Sequence, residues 1–195
     1  MAKSYYIIHK PFKILSQFTD ENGNEGLGSL FQLSKDVYPV GRLDLDSEGL
    51  LILTNDKSLN QKLLNPTFEH QRTYWAQVEG IPSDQKLIEF SEGININLGK
   101  GRRYDTLPAK IKILKSFDLP ERVPTVNYTK SPSHCWLEIK LIEGKNRQVR
   151  KMTAAIGHPT LRLIRSSIEN LQLSPLASGQ IQELSQSLMF KMLNL

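Results

Sequence analysis

Two stretches of this chain alternate apolar and polar residues with a period of two: KIKIL at 110–114 and CWLEIKL at 135–141. That pattern puts every second side chain on one face of an extended strand, so each strand must bury one face and wet the other. Half-buried strands of this kind belong to antiparallel sheets. Further strands are expected at 4–9 (SYYIIH), 72–80 (RTYWAQVEG) and 161–168 (LRLIRSSI), with an extended segment at 37–40 (VYPV). The unbroken apolar run LLILT at 50–54 reads as a buried strand. Helical spacing and capping residues predict helices over 55–65, 83–92 and 146–157, the last ending at Gly157, and LGSLFQL at 27–33 reads as a short one. Residues 118–133 hold three prolines without periodicity and read as a surface loop. The irregular order of strands and helices indicates an α+β fold with a mainly antiparallel sheet.

At 195 residues with 39% hydrophobic content, the chain is long enough for one large domain or two small lobes around a real core. Lys and Arg number 25 against 20 Asp and Glu, a formal net charge of +5 that favours polyanionic partners. The single cysteine, Cys135, excludes an intramolecular disulfide and suits a reducing compartment. The N-terminus lacks the apolar core of a signal peptide, and no run approaches the roughly eighteen apolar residues of a transmembrane helix, so a cytoplasmic protein with no membrane partner is expected. The sequon Asn127-Tyr128-Thr129 is then idle. No coiled-coil heptad appears, and a monomer is expected.

The stretch GRLDLDSEGLLILTND at 41–56 gathers Asp44, Asp46 and Glu48 beside Arg42. These acids match the first, third and fifth positions of a calcium loop, but the twelfth is Asn55 and the flanks are strand-like, so no metal is expected there. Between two extended segments the chain must turn at a sheet end, where a carboxylate is held firmly and guanidinium groups keep it ionised. Asp46 and Glu48 read as turn and surface residues. The run from Gly144 to Arg165 carries Lys145, Arg147, Arg150, Lys151, Arg162 and Arg165 without one acid, which points to phosphate contacts. A second basic patch, GKGRR, contains Arg102 and Arg103 and lacks the spacing of a phosphate-binding Walker loop.

GRLDLDSEGLLILTND resembles the signature motif of the RNA pseudouridine synthases, in the RsuA/RluB/RluE/RluF branch. Three more segments follow the family order: YYIIHKPFKILSQF with its Lys10-Pro11 pair, RTYWAQVEG, and EGKNRQVRKM. The resemblance spans residues 4–184. It implies the pseudouridine synthase fold, a mixed, largely antiparallel sheet with flanking helices bent around a central cleft. It implies a single catalytic domain over 1–195, two lobes without an S4-type RNA-binding domain, most like the RluE-like members that modify large-subunit (23S) ribosomal RNA. Lys145, His9 and Arg72 depart from the residues usual at their motif positions.

By the same resemblance Asp44 is the catalytic nucleophile or base, Tyr74 stacks on the flipped uracil and removes the C5 proton, and Arg150 pairs with the aspartate. Arg42 fills the space the flipped nucleotide leaves. RNA contacts are expected from Arg42, Lys10, Lys145, Asn146, Arg147, Lys151, Arg162, Arg165, Arg102 and Arg103. No cofactor is implied. The expected partner is large-subunit ribosomal RNA, free or in an assembling subunit. Two other readings remain: a non-catalytic ribosome-assembly factor with the same basic surface, and a synthase acting on tRNA or small-subunit RNA.

Overall fold

The computed structural model describes residues 3–117, 119–128 and 133–195. Chain contacts divide it into two units: one holds the residues up to His70 together with Ile164–Leu195, the other Gln71–Leu163.

In the first unit the aromatic and β-branched segment forms β1 (Tyr5–Lys10) and pairs antiparallel with β3 (Glu48–Thr54). Strand β2 (Tyr38–Pro39) also joins β3. All seven residues of β3 are buried, as its unbroken apolar run requires. A parallel pairing sets Glu48 and Gly49 beside Ile164 and Arg165 of β9 (Thr160–Ile168), whose residues from 164 onward belong to this unit. Gly49 sits at φ +110°, and a Cβ there would lie 2.4 Å from the Arg165 carbonyl oxygen, so only glycine permits this approach. Strands β10 (Leu171–Gln172) and β11 (Ile181–Leu184) add to β9 and β1. Helix α1 (Lys57–Leu64) starts at Asp56, whose carboxylate accepts from the Ser58 amide, and ends before Pro66. One apolar cluster joins Ile8, Ile14, Leu43, Leu51 and Leu53.

The second unit centres on three antiparallel strands, β4 (Arg72–Glu79), β8 (His134–Leu141) and β7 (Lys110–Leu114). Their alternation sends Ala76, Val78, Leu137 and Ile139 into a cluster with Phe90, Met152 and Leu163, and leaves Gln77 and Trp136 on the other face. Helices α2 (Asp84–Glu92) and α3 (Gln148–Ala155) carry their apolar stripes into that cluster. The stripe of α3 runs through Gln148, Val149, Met152 and Thr153, while Ala155 is exposed.

The fold is α+β with a mixed sheet, as the sequence indicates, but β10, β11, the hairpin between α2 and β7 and the helix that closes the tail escape the periodicity reading. The hairpin, β5 (Asn95–Gly99) and β6 (Arg102–Asp105), forms where the sequence shows only a basic patch, because Gly99 and Gly101 take positive φ at the turn. The tail closes with α4 (Gln186–Met192), capped by Ser185. The expected helix at 27–33 shrinks to a 3₁₀ turn, Leu27–Ser29. Of the expected loop at 118–133, positions 118 and 129–132 lie outside the described residues, as does Thr129 of the sequon.

Candidate active site

In the first unit the segment bearing Asp44 is a tight turn, closed by the Ser47 amide donating to the Asp44 carbonyl at 3.0 Å. Both neighbours of Asp44 are pinned. The buried Ser16 hydroxyl donates to the Leu43 carbonyl at 2.8 Å and accepts from the Leu43 amide at 3.0 Å, while the Leu45 carbonyl accepts from the Lys13 amide at 2.8 Å. Leu43 itself is buried in the apolar cluster. Asp44 is half-buried and Arg42 is exposed. The backbone that carries the Asp44 carboxylate is therefore anchored on both sides.

Lys10, at the end of β1, interacts electrostatically with Asp44 and has 0% of its surface exposed. Its ammonium donates to the carbonyls of Ile14 at 2.7 Å and Pro11 at 2.9 Å. Burial pushes its pKa down to about 8, against the opposing pull of the Glu48, Asp46 and Asp44 carboxylates, with Arg165 adding a smaller downward push. Glu48, expected on the surface, is only 2% exposed, because it opens the buried strand β3. Arg165 is 5% exposed and donates through Nε to the Leu50 carbonyl at 2.9 Å.

In the second unit Tyr74 stands mid-strand on β4 opposite Ile139, half-buried against the apolar cluster. The basic stretch at 145–147 is exposed and leads into α3 through Arg147 in the left-handed conformation. Gln148 holds that stretch, accepting from the Lys145 amide at 2.9 Å and donating to Glu143. Glu143 also accepts from the Tyr104 hydroxyl at 2.7 Å, a bond that raises the tyrosine pKa, and from the Leu107 amide at 2.9 Å. The Lys145 ammonium lies 4.5 Å from the Tyr104 ring centre. Arg150 is half-buried and donates to the Thr160 carbonyl at 3.2 Å.

The structure therefore sorts the expected RNA contacts by exposure. Arg42, Arg102, Arg103, Lys145, Asn146 and Arg147 are exposed, and Lys151 is half-buried. Lys10, Arg162 and Arg165, also expected to contact RNA, are buried, and Arg162, 7% exposed, donates through one nitrogen to the Pro120 carbonyl at 2.8 Å. Ser16, Glu143 and Gln148, which hold the key segments, carry no mark in the sequence beyond their polarity. Among the described residues no group of three or more His, Cys, Asp or Glu is placed to hold a metal ion, and no helix is long and apolar enough to cross a membrane.

Residues 4–155 match the family described as RNA pseudouridylate synthase. The chain belongs to that family. It is 45% identical over 178 residues to the ribosomal large subunit pseudouridine synthase E of Vibrio parahaemolyticus, covering 91% of this chain and 72% of the relative. With the synthase E of Xanthomonas axonopodis pv. citri it shares 43% identity over 173 residues, 88% of each chain. The ribosomal large subunit pseudouridine synthase B of Bacillus subtilis is 36% identical over 182 residues, 93% of this chain and 68% of the relative. Among solved structures, a pseudouridylate synthase superposes with a TM-score of 0.79 at 23% identity, covering 98% of this chain and 74% of its own, so the fold is that of these enzymes. As an RNA pseudouridine synthase the protein is an isomerase: it exchanges the bond from ribose C1′ to uracil N1 for one to C5.

Proposed function

We propose that this synthase converts one uridine of large-subunit ribosomal RNA to pseudouridine, with Asp44 as catalytic nucleophile or base. The substrate assignment rests on the relatives named for the large subunit, 45% and 43% identical over most of this chain. The observation that carries the role of Asp44 is the anchoring of Leu43 and Leu45 on either side of it, within the segment that resembles the signature motif. Tyr74 serves as the ring against the flipped uracil, and Arg150 supplies the cation of the third motif. The target base must leave its stack before any of them can act. Bond made and bond broken balance within one nucleotide, so the reaction consumes no co-substrate or cofactor.

Exposed Arg42 takes the place of the flipped nucleotide, and Arg102, Arg103, Lys145, Asn146 and Arg147, with Lys151, contact RNA. Lys10 and Arg165 act from inside as supports. Residues 1–195 form a single catalytic domain working as a cytoplasmic monomer, on rRNA that is free or in an assembling subunit. The test is pseudouridine mapping on ribosomal RNA from cells lacking the gene, complemented with wild type or Asp44→Asn. One large-subunit site should vanish on deletion and return only with wild type. Return with Asp44→Asn would remove the carboxylate from the chemistry, and an unchanged large subunit would point to another RNA or to a binding role.

A further inference from the structure

The second unit holds a cavity of about 670 Å³ on the sheet face turned away from its apolar cluster. Phe117, Tyr128, His134 and Trp136 line it, with Arg122 and Arg162 as cations and Glu121 as the single carboxylate among its lining residues. Tyr74, Arg150 and Asp44 are not among those lining residues. Its aromatic walls are fixed by their neighbours. The Phe117 ring meets Trp75 and Trp136 edge-on, at 4.9 Å and 5.4 Å between centres, and the Arg162 guanidinium lies 5.9 Å from the Trp136 centre. Tyr128 stacks on His134 at 4.5 Å, and its hydroxyl accepts from the Gln77 amide at 3.1 Å.

One wall is formed by loop residues 119–128, braced by Arg122 of the loop and Arg162 of β9. Arg122 donates to the Pro124 and Thr125 carbonyls at 2.9 Å and 3.4 Å, and Arg162 reaches across to Pro120. A volume of this size suits a small ligand, and preformed walls reduce the entropy lost on filling it. Single-stranded RNA is recognised largely by unstacked bases laid against aromatic rings and guanidinium planes. Stacking of that kind accepts any base, and a net positive rim suits the attached phosphate. The Gln77 amide, one of the polar groups in the lining, is already engaged with Tyr128.

We propose that this cavity receives a second unstacked nucleotide of the RNA substrate, distinct from the target uridine, with its base against Trp136 and Phe117. The inference rests on the chain acting on RNA, and not on which ribosomal site it modifies. A base held here anchors the strand while the target nucleotide turns out elsewhere, so its loss weakens binding and leaves the chemical step alone.

The probe is fluorescein-labelled hexa-adenylate, which contains no uridine and so is not a substrate, titrated into the full chain and followed by anisotropy at fixed low salt. Wild type should bind it, Trp136→Phe should bind about as well, and Trp136→Leu should bind at least five-fold more weakly. Circular dichroism and thermal melting of each variant ensure that only folded protein is compared. On a ribosomal RNA transcript, Trp136→Leu should raise KM by a similar factor with kcat unchanged. Equal hexa-adenylate binding by wild type and Trp136→Leu overturns the proposal, as does AMP binding as tightly as hexa-adenylate, which would make the cavity a free-nucleotide site. Absence of product from wild type on the large-subunit transcript would refute the substrate assignment while leaving the hexa-adenylate comparison intact.

Discussion

Replacing Lys10 by Met should change how stability depends on pH, and the size of the change follows from where the ammonium lies. Burial lowers its pKa from 10.5 to about 8 in the folded chain. At about 1.4 kcal/mol per decade, that displacement is worth about 3 kcal/mol. The sign is the reverse of the usual lysine case. Between pH 8 and 10.5 the unfolded chain keeps a proton that the folded chain has released, so stability rises through this window and is lost as pH falls back through 8. By pH 9.5 wild type should have gained about 2 kcal/mol over its value at pH 7 from this group alone.

The variant has no such group and leaves the Pro11 and Ile14 carbonyls without their donor at every pH. The stability difference between wild type and Lys10→Met should therefore shift by about 2 kcal/mol in favour of wild type between pH 7 and 9.5. The raised pKa values of Cys135, Tyr5 and Tyr104 affect both proteins alike and cancel in the difference. Urea unfolding should be followed by far-UV circular dichroism, because Trp75 and Trp136 both lie in the unit without Lys10. A difference that stays constant over this range would show that burial does not depress the pKa of the Lys10 ammonium and would refute the reasoning.

Ser16→Ala removes the hydroxyl that both donates to and accepts from Leu43, so it should cost about 1–3 kcal/mol and lower kcat more than KM, with Ser16→Thr restoring much of both; an unchanged kcat would separate Ser16 from the positioning of Asp44. At Asp56, burial opposes ionisation, but hydrogen bonds from Ser58, Tyr5 and Lys3 outweigh it and hold the carboxyl at about 2 against the usual 3.8. That stability is complete above pH 3.8 and fades as pH falls through 2, so wild type should lose about 2 kcal/mol between pH 5 and 2 that Asp56→Ala does not; parallel acid-unfolding curves would contradict it.

Local periodicity and capping are properties of neighbours in the chain, so they were legible before any fold was known. The alternation in KIKIL and CWLEIKL marks β7 and β8, the run LLILT lies within β3, and Asp56 and Ser83 open their helices where a side-chain oxygen can accept an amide. The order of motifs is also local information, and it sufficed to identify the family and to mark Asp44, Tyr74 and Arg150 for test. Burial is different, because it depends on surfaces brought together from far along the chain. Arg165 is inside because it bonds Leu50, 115 positions away, and Arg162 because it reaches Pro120, 42 away, whereas Arg147 in the same basic run meets water. The clamp from Ser16 to Leu43 spans 27 positions and follows no pattern that periodicity could detect. Sequence by itself indicated most of the strands and helices and the family to which the chain belongs; the tertiary structure decided which charges face solvent, that Ser16 clamps the turn of Asp44, and that Trp136 borders a cavity rather than a core.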